Sequence, residues 1–194
     1  CMALLRFDKV SFAYPDAKMR ALDQVSFSME EGEYIVVCGE SGCGKSSCAR
    51  TIIRIYEPSQ GKIIFNGQDI AHLKPRQMQP VRRNMQMIFQ DPSGSLDPRK
   101  SVKELIGEPL KIYKACKNRD EYDARIAEIM ETVGLDERYA ESFSHELDGG
   151  RRQRVGIARA LILDPKLVVC DEPVSALDVS IQAQILNLMM ELQK

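Results

Sequence analysis

The sequence has 194 residues, of which 44% are hydrophobic and 28% are charged, so the chain can bury a core and is neither a disordered tail nor a fibre. Its 27 Lys and Arg residues nearly balance 28 Asp and Glu residues, and the net charge of -1 argues against a protein that coats nucleic acid or anionic lipid. Apolar runs fall short of the roughly 20 residues that cross a bilayer, and we expect a soluble cytosolic chain with reduced cysteines.

The first part of the chain predicts a small antiparallel sheet. Short β-favouring runs at 4–7, 10–14 and 25–29 are separated by turn residues. The continuous apolar run at 34–38 then predicts a strand buried on both faces, and the apolar spacing at 46–56 predicts a helix directly after it. Further buried strands are expected at 62–65, 85–89 and 167–170.

The middle of the chain changes to helical spacing. Apolar residues three and four apart at 102–112, 119–133 and 151–163 predict three helices. The sequence therefore predicts an α/β fold in which a helical subdomain at 91–160 is inserted into a core formed by 1–90 and 161–194. A final helix is expected at 181–193. The basic run at 74–83 is interpreted as a solvated face, because no aromatic residues alternate with its charges as they do in nucleic-acid-binding patches.

A phosphate-binding motif follows the run at 34–38. Residues 39–46, here called the phosphate loop, read GESGCGKS and fit the pattern G-x-x-x-x-G-K-[ST] between a predicted strand and a predicted helix. Such a loop turns successive backbone N–H groups towards phosphate oxygens, while Lys45 reaches the β- and γ-phosphates and the Ser46 hydroxyl can ligate Mg²⁺. The predicted nucleotide-binding residues are Gly39, Ser41, Gly42, Cys43, Gly44, Lys45, Ser46 and Ser47. Cys43 occupies a variable position and is interpreted as a bystander thiol.

Two acidic residues end the apolar run at 167–170. Asp171 is predicted to bind magnesium, and Glu172 is placed to accept a proton from an attacking water. An apolar run that ends in two acids is also an ordinary strand end. The catalytic interpretation is favoured only because the phosphate loop is present, and it points to nucleotide hydrolysis as well as binding.

Several motifs together resemble one known family. Residues 147–155 read LDGGRRQRV, which resembles the Leu-Ser-Gly-Gly-Gln signature of ATP-binding-cassette (ABC) ATPases. Tyr14 resembles the aromatic residue that stacks on adenine in that family; an aromatic there alone is more often a strand-end residue, and its distance from Gly39 favours the adenine role. Gln90 resembles the glutamine of the Q-loop. The D-loop is matched by Ser175, Ala176, Leu177 and Asp178. The segment 89–99 is similar to the ATPase subunits of oligopeptide, dipeptide and nickel importers.

The resemblance implies a P-loop NTPase with a RecA-like core, an N-terminal antiparallel β-subdomain and an inserted helical subdomain. ATP and Mg²⁺ are the implied cofactors. The implied catalytic residues are Glu172, Lys45 and Gln90, and the implied magnesium ligands are Ser46, Gln90 and Asp171.

The resemblance also implies partners and a location. Family members form head-to-tail dimers in which each ATP lies between one subunit's phosphate loop and the other subunit's signature. The signature residues here are Leu147, Asp148, Gly149, Gly150 and Arg151. The helical subdomain would grip a membrane permease on the cytoplasmic face of the membrane, to import peptides or nickel, and no nucleic-acid partner is expected. There are two alternatives to an importer subunit. One is a non-transport cassette ATPase in nucleic-acid, translation or metalloenzyme-assembly processes, and the other is a nucleotide-binding scaffold without turnover.

Two features depart from the family pattern. Asp148 stands where the family has serine, and Arg151 where it commonly has glutamine. Asp148 is predicted to cap the helix that begins near Gly150, but at about 5 Å and an effective dielectric of about 20 its charge would repel a partner's γ-phosphate by roughly 3 kcal/mol. Arg151 would offset part of this repulsion, and we expect a heterodimer to close better than a homodimer. The chain also ends before the family's final histidine, so we expect it to be a piece of a longer protein that need not hydrolyse ATP by itself.

Overall fold

The computed structural model describes residues 3–17, 19–90, 93–172 and 179–192. In chain order, the elements are β1 (Leu5–Phe12), β2 (Leu22–Met29), α1 (Lys45–Ile52), β3 (Gln60–Phe65), β4 (Gln68–Asp69), α2 (Pro75–Asn84), β5 (Met85–Ile88), α3 (Val102–Ile112), α4 (Arg119–Thr132), α5 (Gly149–Leu161), β6 (Leu167–Cys170) and α6 (Val179–Leu192). Short 3-10 turns lie at Ser93–Ser95, Glu137–Tyr139 and Ser144–Glu146. Among these described helices, none combines the length and the apolar content that a membrane crossing requires.

The chain forms two compact units that meet between Arg82 and Arg83 in sequence. The first unit contains a four-stranded sheet in the order β2-β1-β3-β4. Strand β1 pairs antiparallel with both β2 and β3, and Phe7 stacks on Phe27 of β2 with ring centroids 5.0 Å apart. The predicted antiparallel sheet is confirmed, but the runs at 4–7 and 10–14 lie largely within the single strand β1, which continues through a bulge.

The bulge in strand β1 explains why a glycine is needed at position 61. The β1–β3 register shifts between Asp8 and Ser11, and Lys9 between them has φ 49°. Gly61 faces the bulge with φ 91°, and a Cβ there would lie 2.4 Å from the Lys9 carbonyl oxygen.

Gly61→Ala is expected to lower the free energy of unfolding by about 2–4 kcal/mol, because the clash is with backbone atoms and the φ value disfavours any side chain. Urea unfolding measures the loss. Gly32→Ala is the matched control, since Gly32 also has a positive φ, 81°, but a Cβ there meets nothing within 4 Å. Equal losses in the two variants would contradict the role of the bulge.

The run at 34–38 is a correction to the sequence analysis. It was expected to form a buried strand, yet it has no strand assignment, and Tyr34 and Val36 are 60% and 82% exposed. An apolar, β-branched composition shows only that a segment suits a strand, because a strand also needs a neighbouring edge for its backbone hydrogen bonds. None of the described strands in its unit pairs with this run, so the expectation was wrong.

The second unit contains a parallel strand pair and three packed helices. Strands β5 and β6 pair in register from Met85 opposite Leu167 to Ile88 opposite Cys170. Helices α3, α4 and α5 share one apolar core. Its fully buried residues include Leu105, Ile106, Met130, Val155 and Ile157. The parallel pairing brings the carboxyl ends of β5 and β6 to the same edge, where predicted site residues follow both strands.

Local capping explains where the helices begin. The Ser101 hydroxyl accepts a hydrogen bond from the Glu104 backbone N–H at 3.3 Å, while the Glu104 carboxylate accepts one from the Ser101 N–H at 2.9 Å. The Asn118 side chain caps α4 by accepting from the Glu121 N–H at 2.8 Å. These caps satisfy N–H groups that a helix start leaves without partners. The helices predicted in this region are confirmed, whereas the division into a core and an insertion at 91–160 stays a prediction.

Candidate functional site

The phosphate loop is held at the start of helix α1. Gly44 is the residue before the helix, and its φ of 99° and ψ of 9° are left-handed. A Cβ at Gly44 would lie 2.5 Å from the Ala21 carbonyl oxygen, so glycine is required here. The Lys45 ammonium donates to the carbonyl oxygens of Gly39 and Glu40, both at 2.8 Å. The loop thus brings a lysine cation and a helix N-terminus together, an arrangement that suits an anionic ligand.

The remaining predicted nucleotide-binding residues of this region differ in exposure. Ser41 and Gly42 are exposed, Ser46 is partly buried and Ser47 is buried. The Cys43 thiol lies against Gly39, where a Cβ would approach the sulfur to 2.6 Å, and it is 3.9 Å from the Lys45 ammonium. Burial raises the pKa of the nearby Cys48 thiol to about 11, so this side chain stays protonated and acts as a small apolar group.

Tyr14 lies beside the phosphate loop. Its hydroxyl is 2.8 Å from the Ser47 hydroxyl, and its ring makes edge contacts with Phe12 and Tyr56 at centroid distances of 5.0 and 5.5 Å. The side chain keeps part of its surface accessible, since Tyr14 is 42% exposed. This position suits an aromatic platform for a base, and adenine stacking stays a prediction. The sequence analysis missed the supporting Tyr56, whose contact with Phe12 joins distant parts of the chain.

The ends of β5 and β6 bring two predicted catalytic residues into contact. The Gln90 amide donates to the Glu172 carboxylate at 3.3 Å. Asp171 is 5% exposed, and its backbone N–H donates to the Ile88 carbonyl oxygen at 3.0 Å. Glu172 has φ 46°, a left-handed conformation that costs a residue with a side chain about 1–2 kcal/mol. The predicted D-loop at 175–178 lies outside the described residues.

The signature residues form the start of helix α5. Leu147 is buried, Gly149 begins the helix and Gly150 is buried in its first turn. Asp148 is the N-cap, with φ -71° and ψ 172°, and its carboxylate accepts a hydrogen bond from the Arg151 N–H at 2.8 Å. The predicted cap is therefore confirmed. The Arg151 guanidinium also forms an ion pair with the Asp148 carboxylate, as the compensation argument expected.

A small cavity beside the signature contains residues that the sequence analysis missed. Its volume is about 260 Å³, and its polar lining includes Asp136, Arg138, Tyr139, Asp148, Arg151 and Arg154. The guanidinium carbons of Arg151 and Arg138 lie 4.6 and 4.9 Å from the centroid of the Tyr139 ring. No motif or periodic spacing links Tyr139 to the signature, so only the three-dimensional contact identifies it.

A buried amide connects helix α5 to the strand end that precedes Gln90. Gln153 is 2% exposed, and its side-chain amide lies 3.5 Å from the Phe89 carbonyl oxygen. The contact is a weak hydrogen bond by its length. It nevertheless gives a buried polar group its partner and joins the helix of the signature to Phe89, the residue before Gln90. The sequence could have indicated this contact, because Gln153 is a polar residue on the buried face of the predicted helix.

Sequence comparison gives a family match over most of the chain. The model of the family described as ABC transporter matches residues 22–175. The chain is 50% identical over 187 residues to the oligopeptide transport ATP-binding protein OppF of Bacillus subtilis, an alignment covering 96% of this chain and 61% of the relative. It is 51% identical over 177 residues to AppF, an oligopeptide transport ATP-binding protein of the same organism, covering 91% and 54% respectively. The chain thus spans little more than half the length of these relatives.

Solved structures agree with this match. The ATP-binding cassette MJ0796, described as a dimer in a post-hydrolysis state bound to ADP and Pi, superposes with a TM-score of 0.87 at 28% identity, covering 98% of this chain and 83% of that chain. CbiO1 from Clostridium perfringens, described as part of an ABC transporter complex, superposes with a TM-score of 0.85 at 27% identity, covering 98% and 74%. The predicted fold class, a P-loop NTPase of the cassette type, is confirmed.

Proposed function

Because this chain belongs to the ABC transporter family, we propose that it is the ATP-binding and ATP-hydrolysing subunit of a membrane importer. The observation that carries the hydrolytic part of the proposal is the contact between Gln90 and Glu172 at the ends of two parallel strands. It places an amide beside the carboxylate that would take a proton from water. The sequence analysis left peptides and nickel open as cargo, and the oligopeptide transport relatives favour peptides.

In this proposal, the phosphate loop binds the nucleotide and the acidic strand end performs the proton transfer. Lys45 and the backbone N–H groups of 39–46 would bind the β- and γ-phosphates, and Tyr14 would stack on adenine. A water oxygen would bond to the γ-phosphorus as the bond to the bridging oxygen breaks, giving ADP and phosphate. Glu172 would accept the proton of that water, while the Gln90 amide holds the carboxylate in place.

The residues expected to hold magnesium have suitable chemistry. Ser46, Gln90 and Asp171 supply hydroxyl, amide and carboxylate oxygens, the ligand types that Mg²⁺ prefers. Asp171 is buried directly after strand β6. Magnesium bound with the nucleotide would neutralise charge on the phosphates. We therefore include Mg²⁺-ATP as the working form of the ligand.

The proposed partners are a second cassette subunit and a membrane permease. The signature residues 147–151 would complete the ATP site of the second subunit, and the dimeric state described for MJ0796 supports this arrangement. The permease would carry the solute and hold the subunit at the cytoplasmic face of the membrane. A partner with serine in place of Asp148 would avoid one negative charge near the nucleotide, which favours a heterodimer.

A chimaera tests the transport function. Replacing the aligned segment of Bacillus subtilis OppF with this chain is expected to restore uptake of a labelled peptide in a strain that lacks OppF. The same chimaera with Glu172→Gln is expected to assemble but import nothing, because the proton acceptor is missing. Co-purification with the permease verifies assembly in both cases. A chimaera that assembles and hydrolyses ATP without importing peptide would contradict the importer function and favour a non-transport cassette ATPase.

A further inference from the structure

We propose that Tyr139 is a positioning residue that holds the Arg151 guanidinium against Asp148, so that the signature presents a neutral pair to a nucleotide instead of a bare carboxylate. The inference rests on the proposed function, in which the signature meets a nucleotide bound to a second subunit. It assigns a role in nucleotide-dependent association to a residue that lies outside every motif of the chain.

The ion pair alone would hold Arg151 weakly. The Arg151 and Asp148 side chains are 41% and 55% exposed, and solvent competes strongly with an ion pair at such a surface. A long arginine side chain also loses rotamer freedom when it is fixed in one geometry. The Tyr139 ring supplies a second contact, because the guanidinium carbon lies 4.6 Å from its centroid. The two contacts together select one orientation of the guanidinium.

The Tyr139 ring is itself held by residues other than Arg151. Tyr139 ends the 3-10 turn Glu137–Tyr139, which the Asp136 carboxylate caps by accepting a hydrogen bond from the Arg138 N–H at 3.0 Å. The Arg138 guanidinium donates to the Tyr139 hydroxyl at 3.0 Å. The ring also packs against the apolar core of the second unit. The platform is therefore fixed independently of the side chain that it holds.

The held guanidinium determines how much of the Asp148 charge remains available. One carboxylate oxygen accepts the Arg151 backbone N–H, and the other pairs with the guanidinium. If the ring were removed, the guanidinium would gain freedom to leave the pair for solvent. The second oxygen would then carry its charge towards the phosphates of an approaching nucleotide, and association would weaken.

The test measures ATP-dependent dimerisation of this chain in a Glu172→Gln background, by analytical ultracentrifugation at low salt with Mg²⁺-ATP. Tyr139→Leu keeps apolar volume without a π face, and Tyr139→Phe keeps the face without the hydroxyl. Tyr139→Leu is expected to weaken dimerisation about twofold to thirtyfold, the range of a cation–π contact, while Tyr139→Phe stays close to the parent. Calorimetric titration of each variant with Mg²⁺-ATP verifies that it still binds ATP.

A second pair of variants separates positioning from packing. In the Asp148→Ser background, Tyr139→Leu is expected to cause no further loss, because no carboxylate is left to neutralise. Arg151→Gln changes only the surface of the helix, and it should weaken dimerisation as much as Tyr139→Leu does. It therefore tests the inference even if Tyr139→Leu folds poorly. In the Asp148→Ser background, Arg151→Gln should cause no loss of dimerisation. Higher salt should reduce both losses, since the repulsion is screened.

Three results would overturn the inference. Equal dimerisation of Tyr139→Leu and Tyr139→Phe would show that the π face is irrelevant. A Tyr139→Leu loss that persists in the Asp148→Ser background would assign Tyr139 to packing alone. A parent that binds ATP but associates neither with itself nor with an Asp148→Ser copy of the chain would overturn the proposed function, and the inference with it, which distinguishes this failure from the first two.

Discussion

In the chimaera with Bacillus subtilis OppF, Glu172→Gln is expected to reduce steady-state ATP hydrolysis by about 10²–10⁴-fold while leaving the protein able to bind ATP. The amide keeps the shape of the carboxylate but cannot accept the proton of the attacking water. Because ATP is then bound and not consumed, the variant should favour the ATP-bound dimer over the monomer. The expected loss exceeds what a change in the surrounding packing would cause, since the two side chains have nearly the same volume.

Phosphate release and size-exclusion chromatography with Mg²⁺-ATP measure the two effects together. Glu141→Gln is the matched control, because Glu141 is an exposed glutamate of the same unit that lies outside the candidate site. It should hydrolyse ATP at the parental rate. Parental turnover in Glu172→Gln would remove Glu172 from the role of proton acceptor and leave the Gln90 contact without its proposed chemistry.

Lys45→Ala is expected to lower the affinity for ATP by about 10- to 100-fold, the value of a hydrogen bond to a charged group at a phosphate. The Lys45 ammonium already lies over the phosphate loop, bonded to the carbonyl oxygens of Gly39 and Glu40. Bound phosphate oxygens would take over these donors. Alanine removes the cation and leaves the turn at Gly44 intact, so the loss reports on phosphate binding.

Calorimetric titration with Mg²⁺-ATP measures this loss. Lys62→Ala removes an exposed lysine from strand β3 of the same unit and should retain the parental affinity, which controls for the change in net charge. An unchanged affinity in Lys45→Ala would place the nucleotide at a different site. Similar losses in both variants would instead indicate a nonspecific electrostatic effect.

Local signals account for the features that the sequence predicted well. The phosphate loop at 39–46 is recognisable from the sequence, because its glycines, its lysine and the start of the following helix are neighbours along the chain. Helices α3 and α4 show apolar residues at helical spacing after a capping residue, Ser101 or Asn118, and the structure confirms both. The role of Asp148 as a helix cap could also be predicted from the residues next to it in sequence. In each case, the interactions that define the feature lie within a few residues.

Features that depend on distant partners were predicted poorly. The run at 34–38 has strand composition, but a strand is defined by a neighbouring edge that composition does not encode. The basic run at 74–83 was interpreted only as a solvated face, yet it forms most of helix α2, in which Met78 and Val81 are buried. Its internal Pro80 weakens the helical signal in the sequence. Tyr139 meets Arg151 only because a 3-10 turn packs beside the start of α5. Such contacts become visible only when the chain is folded.

At Glu172, the left-handed backbone means that stability and activity favour different residues. A glycine there would adopt φ 46° without the penalty that a side chain incurs, so the fold alone would prefer a residue with no carboxylate. The proposed proton transfer requires the carboxylate. The neighbouring strand pair must therefore supply enough stability to hold an unfavourable conformation, and selection for a more stable chain would tend to erode its activity.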